Sequence, residues 1–344
     1  MRRSFIPHAV VWAVSVLFFG SALAADPMLP PALKAQVQAI LQTSQSAGAA
    51  VMLVDALGVS AAYWHGDARA GTCHSAGAAG DALVALAAMR LAERGKVDLY
   101  ASLSKSIGAP VSAACKSKVS VSRLLEHTSG LGGSSGQTYA CAGGRTVYSA
   151  AGIQLAALAL EKSTNQSMTT LMRREVFGPL AMHASDWDRG SAAVAEPKLA
   201  PSCVGALSEA QPGLTTTPHD MANLVQMLVQ RGQVDAKTYL PQCAVERMGI
   251  SVSAASMPGG NTTAAIDRAE FGLGLQRFKV GGQAWLGYSG DSQHSRWVWG
   301  YSSQSQTAMV IMLSGQDAKT LRALKTAVAT HLQKDAVKVV ASSR

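Results

Sequence analysis

The sequence has few charged residues, no periodic pattern of glycine or proline and no cysteine motif of a metal site. Only 15% of the 344 residues are charged and 48% are hydrophobic, which excludes an intrinsically disordered chain. The 32 glycines and 12 prolines follow no period, which excludes a collagen-like or low-complexity chain. The five cysteines form no C-x-x-C pair, so the sequence predicts neither a metal site nor any other cofactor.

Negative charge is also scarce, since 21 acidic residues face 30 basic ones and the formal net charge is +9. The basic residues are scattered singly, and no stripe of aromatic residues accompanies them. This pattern disfavours nucleic acid as a partner and fits a basic protein that faces an acidic cell envelope.

The first residues have the three-part layout of a secretory signal. Arg2 and Arg3 precede an apolar run over 9–19, and an A-x-A pattern ends at Ala24. The run is shorter than the ~20 residues of a membrane-spanning helix, which disfavours the alternative of a membrane anchor. We therefore predict a signal peptide over 1–24, no stable membrane span after cleavage, and a periplasmic or secreted mature chain over 25–344. Disulfides are then possible, and Cys203 with Cys243 is the first expected pair.

Hydrophobic periodicity predicts helices at both ends of the mature chain and a mainly helical middle. Helices are predicted over 30–44, 82–94, 121–126, 151–163, 168–176, 218–230 and 317–334. Strands are predicted over 49–54, 59–64, 271–280, 283–287, 295–301 and 307–314. Since strands must pair, the N-terminal hairpin is expected beside the C-terminal strands. The fold class is therefore α+β: an antiparallel sheet over 25–72 and 265–344, flanked by N- and C-terminal helices, with a helical insert over 73–264 and a cleft between the two parts.

Five sequence blocks occur in an order that resembles a known family. They are ALAAMRLAERGKVDL at 85–99, LLEHTSGL at 124–131, VYSAAG at 147–152, GLTTTPHDM at 213–221 and FGLGL at 271–275. Together they resemble serine β-lactamases and penicillin-binding DD-peptidases, and the class C β-lactamases with their esterase and D-aminopeptidase relatives most of all. The resemblance runs from about Ala49 to the final helix, and it implies the same sheet with a helical insert.

The resemblance implies acyl transfer through a serine ester, with an S-x-x-K motif at the start of a helix. Counting back from the block at 85–99 gives Ala78 at the serine position and Asp81 at the lysine position. A methyl group cannot be acylated, and a carboxylate reverses the local charge. A nearby anion is expected to raise the pKa of Tyr148, the retained tyrosine of the second motif.

The other two motifs are partly kept. The second motif, Y-x-N, has Ala150 at the asparagine position, and an alanine cannot make that residue's hydrogen bonds. The third, K-T-G or H-S-G, reads Tyr288, Ser289 and Gly290, so a possible cation is replaced by a phenol. The resemblance implies substrate contacts at Ala150 and at these three positions.

Other residues offer alternatives for the nucleophile. Ser75 lies three residues before Ala78, but Ala78 then stands where its lysine is needed. A literal S-x-x-K at Ser102 and Lys105 falls in a region where relatives have an exposed loop, and it is interpreted as a chance match. No residue near Cys73 is expected to be positioned as a base, and Cys73 is interpreted as a strand-end or disulfide residue.

His127 and His294 are candidate general bases, but no G-x-S-x-G elbow accompanies them. His127 is interpreted as a loop residue, and His294 lies in a strand connection near Asp291; Asp220 is the other aspartate considered for a Ser-His-Asp set. Trp285, Trp297 and Trp299 are candidates for a platform that stacks on sugars. Trp297 and Trp299 alternate along one strand face, a pattern that favours core packing instead.

Two functions remain open. The favoured one is a binding protein of the β-lactamase fold that has lost acylation and binds peptidoglycan fragments or a cell-envelope protein. The alternative is an active serine hydrolase (a β-lactamase, D-Ala carboxypeptidase or esterase) with a rearranged nucleophile.

Overall fold

An eight-stranded antiparallel sheet is the largest element of the computed structural model. The model describes residues 26–103, 119–132, 137–138, 142, 146–188, 213–250, 253–254, 270–292 and 294–342. The predicted signal peptide over 1–24, Cys203 and Lys105 lie outside these residues. The strand order is β10-β11-β12-β13-β14-β15-β1-β2. The strands are β1 (Gly48–Asp55), β2 (Gly58–Gly66), β10 (Ser253–Ala254), β11 (Glu270–Phe271), β12 (Gln276–Val280), β13 (Gln283–Asp291), β14 (Ser295–Ser302) and β15 (Thr307–Ser314).

The N-terminal hairpin pairs with the C-terminal strands, as predicted from the sequence. Ala49 of β1 lies opposite Leu313 of β15, and Val54 lies opposite Ala308. Strand β1 is buried on both faces. Its alternate side chains therefore enter two different cores, with Met52 in one and Val51 in the other.

The first and last helices cover one face of the sheet. Helix α1 (Pro31–Gln42) starts with a proline and buries Leu33, Val37 and Leu41 at helical spacing. Helix α8 (Ala318–Ser342) packs beside it and contributes Leu324 and Val328 to the same core. Helix α8 extends eight residues beyond the predicted end at position 334.

The remaining helices contribute to the core on the opposite face. They are α2 (Asp81–Glu93), α3 (Val121–Leu125), α4 (Ala150–Thr164), α5 (Met168–Met172), α6 (Pro218–Val229) and α7 (Gln242–Met248). Helix α2 is buried along nearly its whole length because its side chains are small or aliphatic. No helix within the described ranges is long and apolar enough to cross a membrane.

Three local predictions need correction. The segment predicted as a helix over 168–176 is α-helical only as far as Met172, and Arg173–Phe177 form a π-helical turn. The strand predicted over 271–280 is interrupted at Gly274, whose φ is 86°. A Cβ atom there would overlap the Cβ of Ala85 on α2, so the backbone turns where it meets that helix. Strand β13 runs on from the predicted end at Gly287 to Asp291.

The expected Cys203–Cys243 disulfide is wrong, because Cys243 is a free, exposed cysteine near the start of α7. The spacing argument failed because two cysteines that bracket a helix need not face each other. Cys73, by contrast, is disulfide-bonded.

The sequence analysis also missed short strands that complete the frame of the helical region. Strands β3 (His74–Ser75), β7 (Gly213–Thr216) and β6 (Asp186–Asp188) form a three-stranded sheet. Two hairpins are smaller still: β4 (Leu131–Gly132) with β5 (Gln137–Thr138), and β8 (Gln233–Val234) with β9 (Lys237–Thr238). Strands of two to four residues are too short to show an alternating pattern.

Candidate functional site

The candidate site begins at the turn that leads into α2. Residues Gly77–Gly80 form a 3₁₀ turn, and Asp81 is the first residue of the helix. Trp299 donates from Nε1 to the Ala79 carbonyl at 3.0 Å, which anchors the turn to β14. Gly290 of β13 lies against the same turn, where a Cβ atom would overlap the Ala79 nitrogen. The sheet therefore holds Ala78, which is half-buried, directly beside the third motif.

The Asp81 carboxyl is shared by two phenols. Tyr148 donates to Oδ2 at 2.9 Å and Tyr288 donates to the same oxygen at 3.3 Å. Burial raises the pKa of Asp81 from 3.8 to about 7, while the two hydrogen bonds act in the opposite direction. The position at a helix N-terminus also favours the ionised form. The carboxyl is therefore poised to change charge near neutral pH.

The second carboxyl oxygen of Asp81 is open. No residue of the described chain donates a hydrogen bond to Oδ1, and Oδ1 is absent from the set of buried side-chain atoms without a partner. It is therefore accessible to solvent or to a ligand.

Tyr148 and Tyr288 act as hydrogen-bond donors and not as bases. Burial is the largest cause that raises the pKa of each phenol well above 10, and the charge of Asp81 adds to it. Tyr148 directly precedes α4, where the hydroxyl of Ser149 caps the helix by accepting from the Gly152 N–H at 2.9 Å. Ala150, the first residue of α4, brings only a methyl group to this side.

His127 completes a chain of hydrogen bonds behind Tyr288. Its Nδ1 accepts the Ser149 N–H at 3.2 Å, so the proton of the neutral ring is on Nε2. Nε2 lies 3.2 Å from the Tyr288 hydroxyl and donates to it. Burial lowers the pKa of His127 to about 3, which keeps the ring neutral. The ring lies edge-on to Phe271, with 4.5 Å between centroids.

The third motif is divided between two environments. Tyr288 and Gly290 face the turn at Ala78, as their alternation along β13 requires. Ser289 instead contacts Gln276 of β12, with its N–H at 3.1 Å and its hydroxyl at 3.3 Å from Oε1. The structure therefore brings together Ala78, Asp81, Tyr148, Tyr288 and Gly290, and it leaves the Ser289 hydroxyl beside Gln276.

The alternative nucleophiles lie outside this arrangement. Ser75 pairs with Thr215 in the three-stranded sheet, and its carbonyl accepts from Trp297 Nε1 at 3.1 Å. Within the described part of the chain, its hydroxyl makes no hydrogen bond to Asp81 or Tyr148. Ser102 is exposed beyond α2.

The remaining sequence candidates have structural partners. His294 is exposed in the β13–β14 connection, where its N–H donates to Ser292. Asp220 is buried at the start of α6 and accepts from the Ala184 N–H at 2.9 Å and the Ser185 hydroxyl at 2.7 Å. Trp297 and Trp299 pack in the core on one face of the sheet as predicted, and Trp285 is buried in the core on the opposite face.

Sequence reasoning missed the part that His127 and Phe271 play at the site. Both lie in blocks that signalled the family, LLEHTSGL and FGLGL, so a signal was present. No group of three or more metal-binding side chains occurs in the regions that the structure describes.

Comparison with known proteins supports the assignment of the fold. The family model described as Beta-lactamase matches residues 33–333. No curated protein matches the sequence. A solved structure of an octameric penicillin-binding protein homologue from Pyrococcus abyssi has a TM-score of 0.70 at 19% identity. That match covers 88% of this chain and 77% of the other.

Two further solved structures have similar folds. A D-amino acid amidase from Ochrobactrum anthropi SV3, in complex with D-phenylalanine, has a TM-score of 0.69 at 17% identity, and the match covers 89% of this chain and 99% of the amidase. A β-lactamase from Mycobacterium bovis has a TM-score of 0.63 at 20% identity, with 85% and 97% covered. At these identities the likeness extends to the fold alone.

Proposed function

The chain belongs to the Beta-lactamase family, and from that membership we propose that it is an exported binding protein that keeps the family's site without its acyl-serine chemistry. The observation that carries the proposal is the pair Ala78 and Asp81. A methyl group and a carboxylate stand where the family motif has a nucleophile and its activating cation.

The surrounding groups support loss of chemistry over transfer of the role to another residue. A nucleophilic serine needs a base or a cation close to its hydroxyl. The groups that meet at Asp81 are two phenols with raised pKa values and a histidine that is neutral and fully engaged. None of these three groups can accept a proton readily at neutral pH. Asp81 itself can, but its hydrogen-bond partners among the described residues are the two phenols and not a serine.

The same groups support a retained binding role. Gly290 remains against the 3₁₀ turn, Tyr148 remains hydrogen-bonded to Asp81 directly after that turn, and the Asp81 carboxyl has an open oxygen. Peptidoglycan fragments are the proposed ligands because the similar folds include a penicillin-binding protein homologue and a D-amino acid amidase. The basic net charge and the signal-like start at 1–24 support a periplasmic or secreted location.

Intact-mass spectrometry after incubation with a penicillin and, separately, with a neutral fluorophosphonate tests the proposal. The fluorophosphonate is included because a carboxylate in the site would repel an anionic penicillin. We expect no adduct with either reagent from a folded sample. A stoichiometric adduct would overturn the proposal in favour of an active serine hydrolase, and peptide mapping would show whether Ser75, Ser102 or another residue carries it.

A further inference from the structure

We infer that the site at Asp81 selects ligands that carry a protonated amine, the opposite charge preference to that of a site with a lysine in this position. The inference rests on the proposed binding function and adds the chemical class of the ligand. The ammonium group would donate to Oδ1 of Asp81, the oxygen that neither phenol uses.

The first support is geometric. Tyr148 and Tyr288 both donate to Oδ2, and this fixes the orientation of the carboxyl group while leaving Oδ1 open. An aspartate held by two part-buried hydrogen bonds loses little freedom when a ligand binds. A charge-assisted hydrogen bond to such a preorganised oxygen is about twice as strong as a neutral one.

The second support is the lack of a counter-charge. Within the described residues, no lysine or arginine forms an ion pair with Asp81. Arg296 on β14 lies 3.5 Å from Asp291 at the end of β13, so that arginine already has a carboxylate partner. Burial is the largest cause that raises the pKa of Tyr148, and the charges of Asp81 and Asp291 both add to it.

The third support is what the motif positions no longer supply. Tyr288 is a phenol where the third motif has lysine or histidine, and Ala150 has no polar group to contact a ligand amide. An anionic ligand would therefore meet a carboxylate without a compensating cation. A cationic ligand would supply the positive counter-charge that the Asp81 carboxylate lacks, and its binding would keep Asp81 ionised.

A matched series of ligands separates charge from shape. Calorimetric titration of the purified protein at pH 7.5 would compare D-phenylalaninol, which carries an ammonium group, with its neutral N-acetyl derivative and with the anion N-acetyl-D-phenylalanine. We expect the amine to bind about tenfold more tightly than the neutral derivative and the anion to bind most weakly. The variant Asp81→Asn should reduce the preference for the amine to less than twofold. The control Asp67→Asn removes an exposed carboxylate on the turn after β2 and should leave the preference unchanged.

The outcomes distinguish this inference from the proposed function. Equal binding of the amine and the neutral derivative, or tighter binding of the anion, would overturn the inference and leave the binding function standing. Absence of binding by all three ligands to a folded sample would overturn the inference, while the mass measurement would still decide whether chemistry occurs. If Asp81→Asn fails to fold, the charge series on the unmodified protein decides the question alone.

Discussion

Two carboxyl groups in this chain, one fully buried and one half-buried, are stabilised in opposite ways. Glu175, in the π-helical turn, has a fully buried side chain and lies 2.9 Å from Arg94 and 2.8 Å from Arg174. Arg90 approaches it at 3.9 Å and also stacks over the ring of Tyr239, at 4.3 Å from the centroid. Asp81 has two phenols and no cation among the described residues. The first arrangement neutralises a charge inside the fold, whereas the second leaves a charge available to a ligand.

The difference shows how a structural carboxylate can be told from one with a binding role. A buried ion pair surrounded by arginines resembles other structural networks and needs no ligand. A carboxyl group with a raised pKa, held by uncharged donors and open at one oxygen, is typical of functional sites. Glu175 is fully buried and Asp81 is half-buried, so the contrast arises both from their immediate partners and from their exposure to solvent.

The largest effect should come from Glu175→Gln, which removes the charge that the three arginines surround. We expect the free energy of unfolding to fall by about 2–3 kcal/mol, less than for a fully buried pair because Arg94 and Arg174 are half-exposed. Urea denaturation would measure it. The matched control is Asp186→Asn, which breaks the half-exposed pair with Arg173 and should cost less than about 1 kcal/mol. Equal losses of stability in the two variants would contradict the distinction between the fully buried Glu175 and the partly exposed Asp186 pair.

The second effect concerns a cation introduced at Asp81. The variant Asp81→Lys should lower the free energy of unfolding by about 2 kcal/mol, because a buried ammonium would face two phenols without a carboxylate partner. Thermal melting would measure the change. A neutral or stabilising result would mean that this environment still suits the family's lysine, and it would weaken the contrast with Glu175.

The third effect is a gain of stability. Because burial raises the folded pKa of Asp81 from 3.8 to about 7, the folded state binds the proton more tightly than the unfolded state does. The contribution of this group to stability is therefore complete below about pH 4 and is lost as the pH rises to 7 and above. The variant Asp81→Asn should be about 1 kcal/mol more stable than the unmodified protein at pH 8 and should lose this advantage at pH 4. Denaturation curves at both pH values, with Asp67→Asn as the control, would measure the free energy of unfolding of each protein. An Asp81→Asn advantage that is equal at pH 8 and pH 4 would contradict the prediction.

The smallest effect concerns the hydrogen bonds that the two phenols donate to Asp81. The variant Tyr148→Phe removes the shorter of the two hydrogen bonds to Oδ2, so the pKa of Asp81 should rise further. We expect a loss of about 1 kcal/mol of stability at pH 8. Carbon NMR titration of the Asp81 carboxyl would follow its pKa, with Tyr63→Phe on β2 as the control. An unchanged or lowered pKa would contradict the geometry described here.

Much of the fold was predictable because its signals are local. The pairing of the hairpin with the last strands follows from the need to close a sheet. The helix at 31–42 shows clear apolar periodicity, and the helix at 81–93 is a long run of small and aliphatic residues. The interruption at Gly274 was not predictable, since it depends on how closely that segment approaches Ala85. The two-residue strands were too short to carry a pattern.

The site was predictable in its members but not in its arrangement. Counting from the family blocks located Ala78 and Asp81, and the motifs located Tyr148 and Tyr288. The sequence could not show that both phenols donate to one oxygen, because Tyr288 and Asp81 are 207 positions apart. It also could not show that His127 orients Tyr288, since that contact depends on packing between α3, α4 and β13.

The most direct test of binding without acyl transfer uses a ligand that would also reveal an amidase. Calorimetry would measure the binding of D-phenylalaninamide, and the same mixture would be assayed for ammonia and D-phenylalanine. The account predicts saturable binding and full recovery of the intact amide after prolonged incubation. Release of ammonia with D-phenylalanine in equal amounts, above that from a heat-denatured sample, would contradict it.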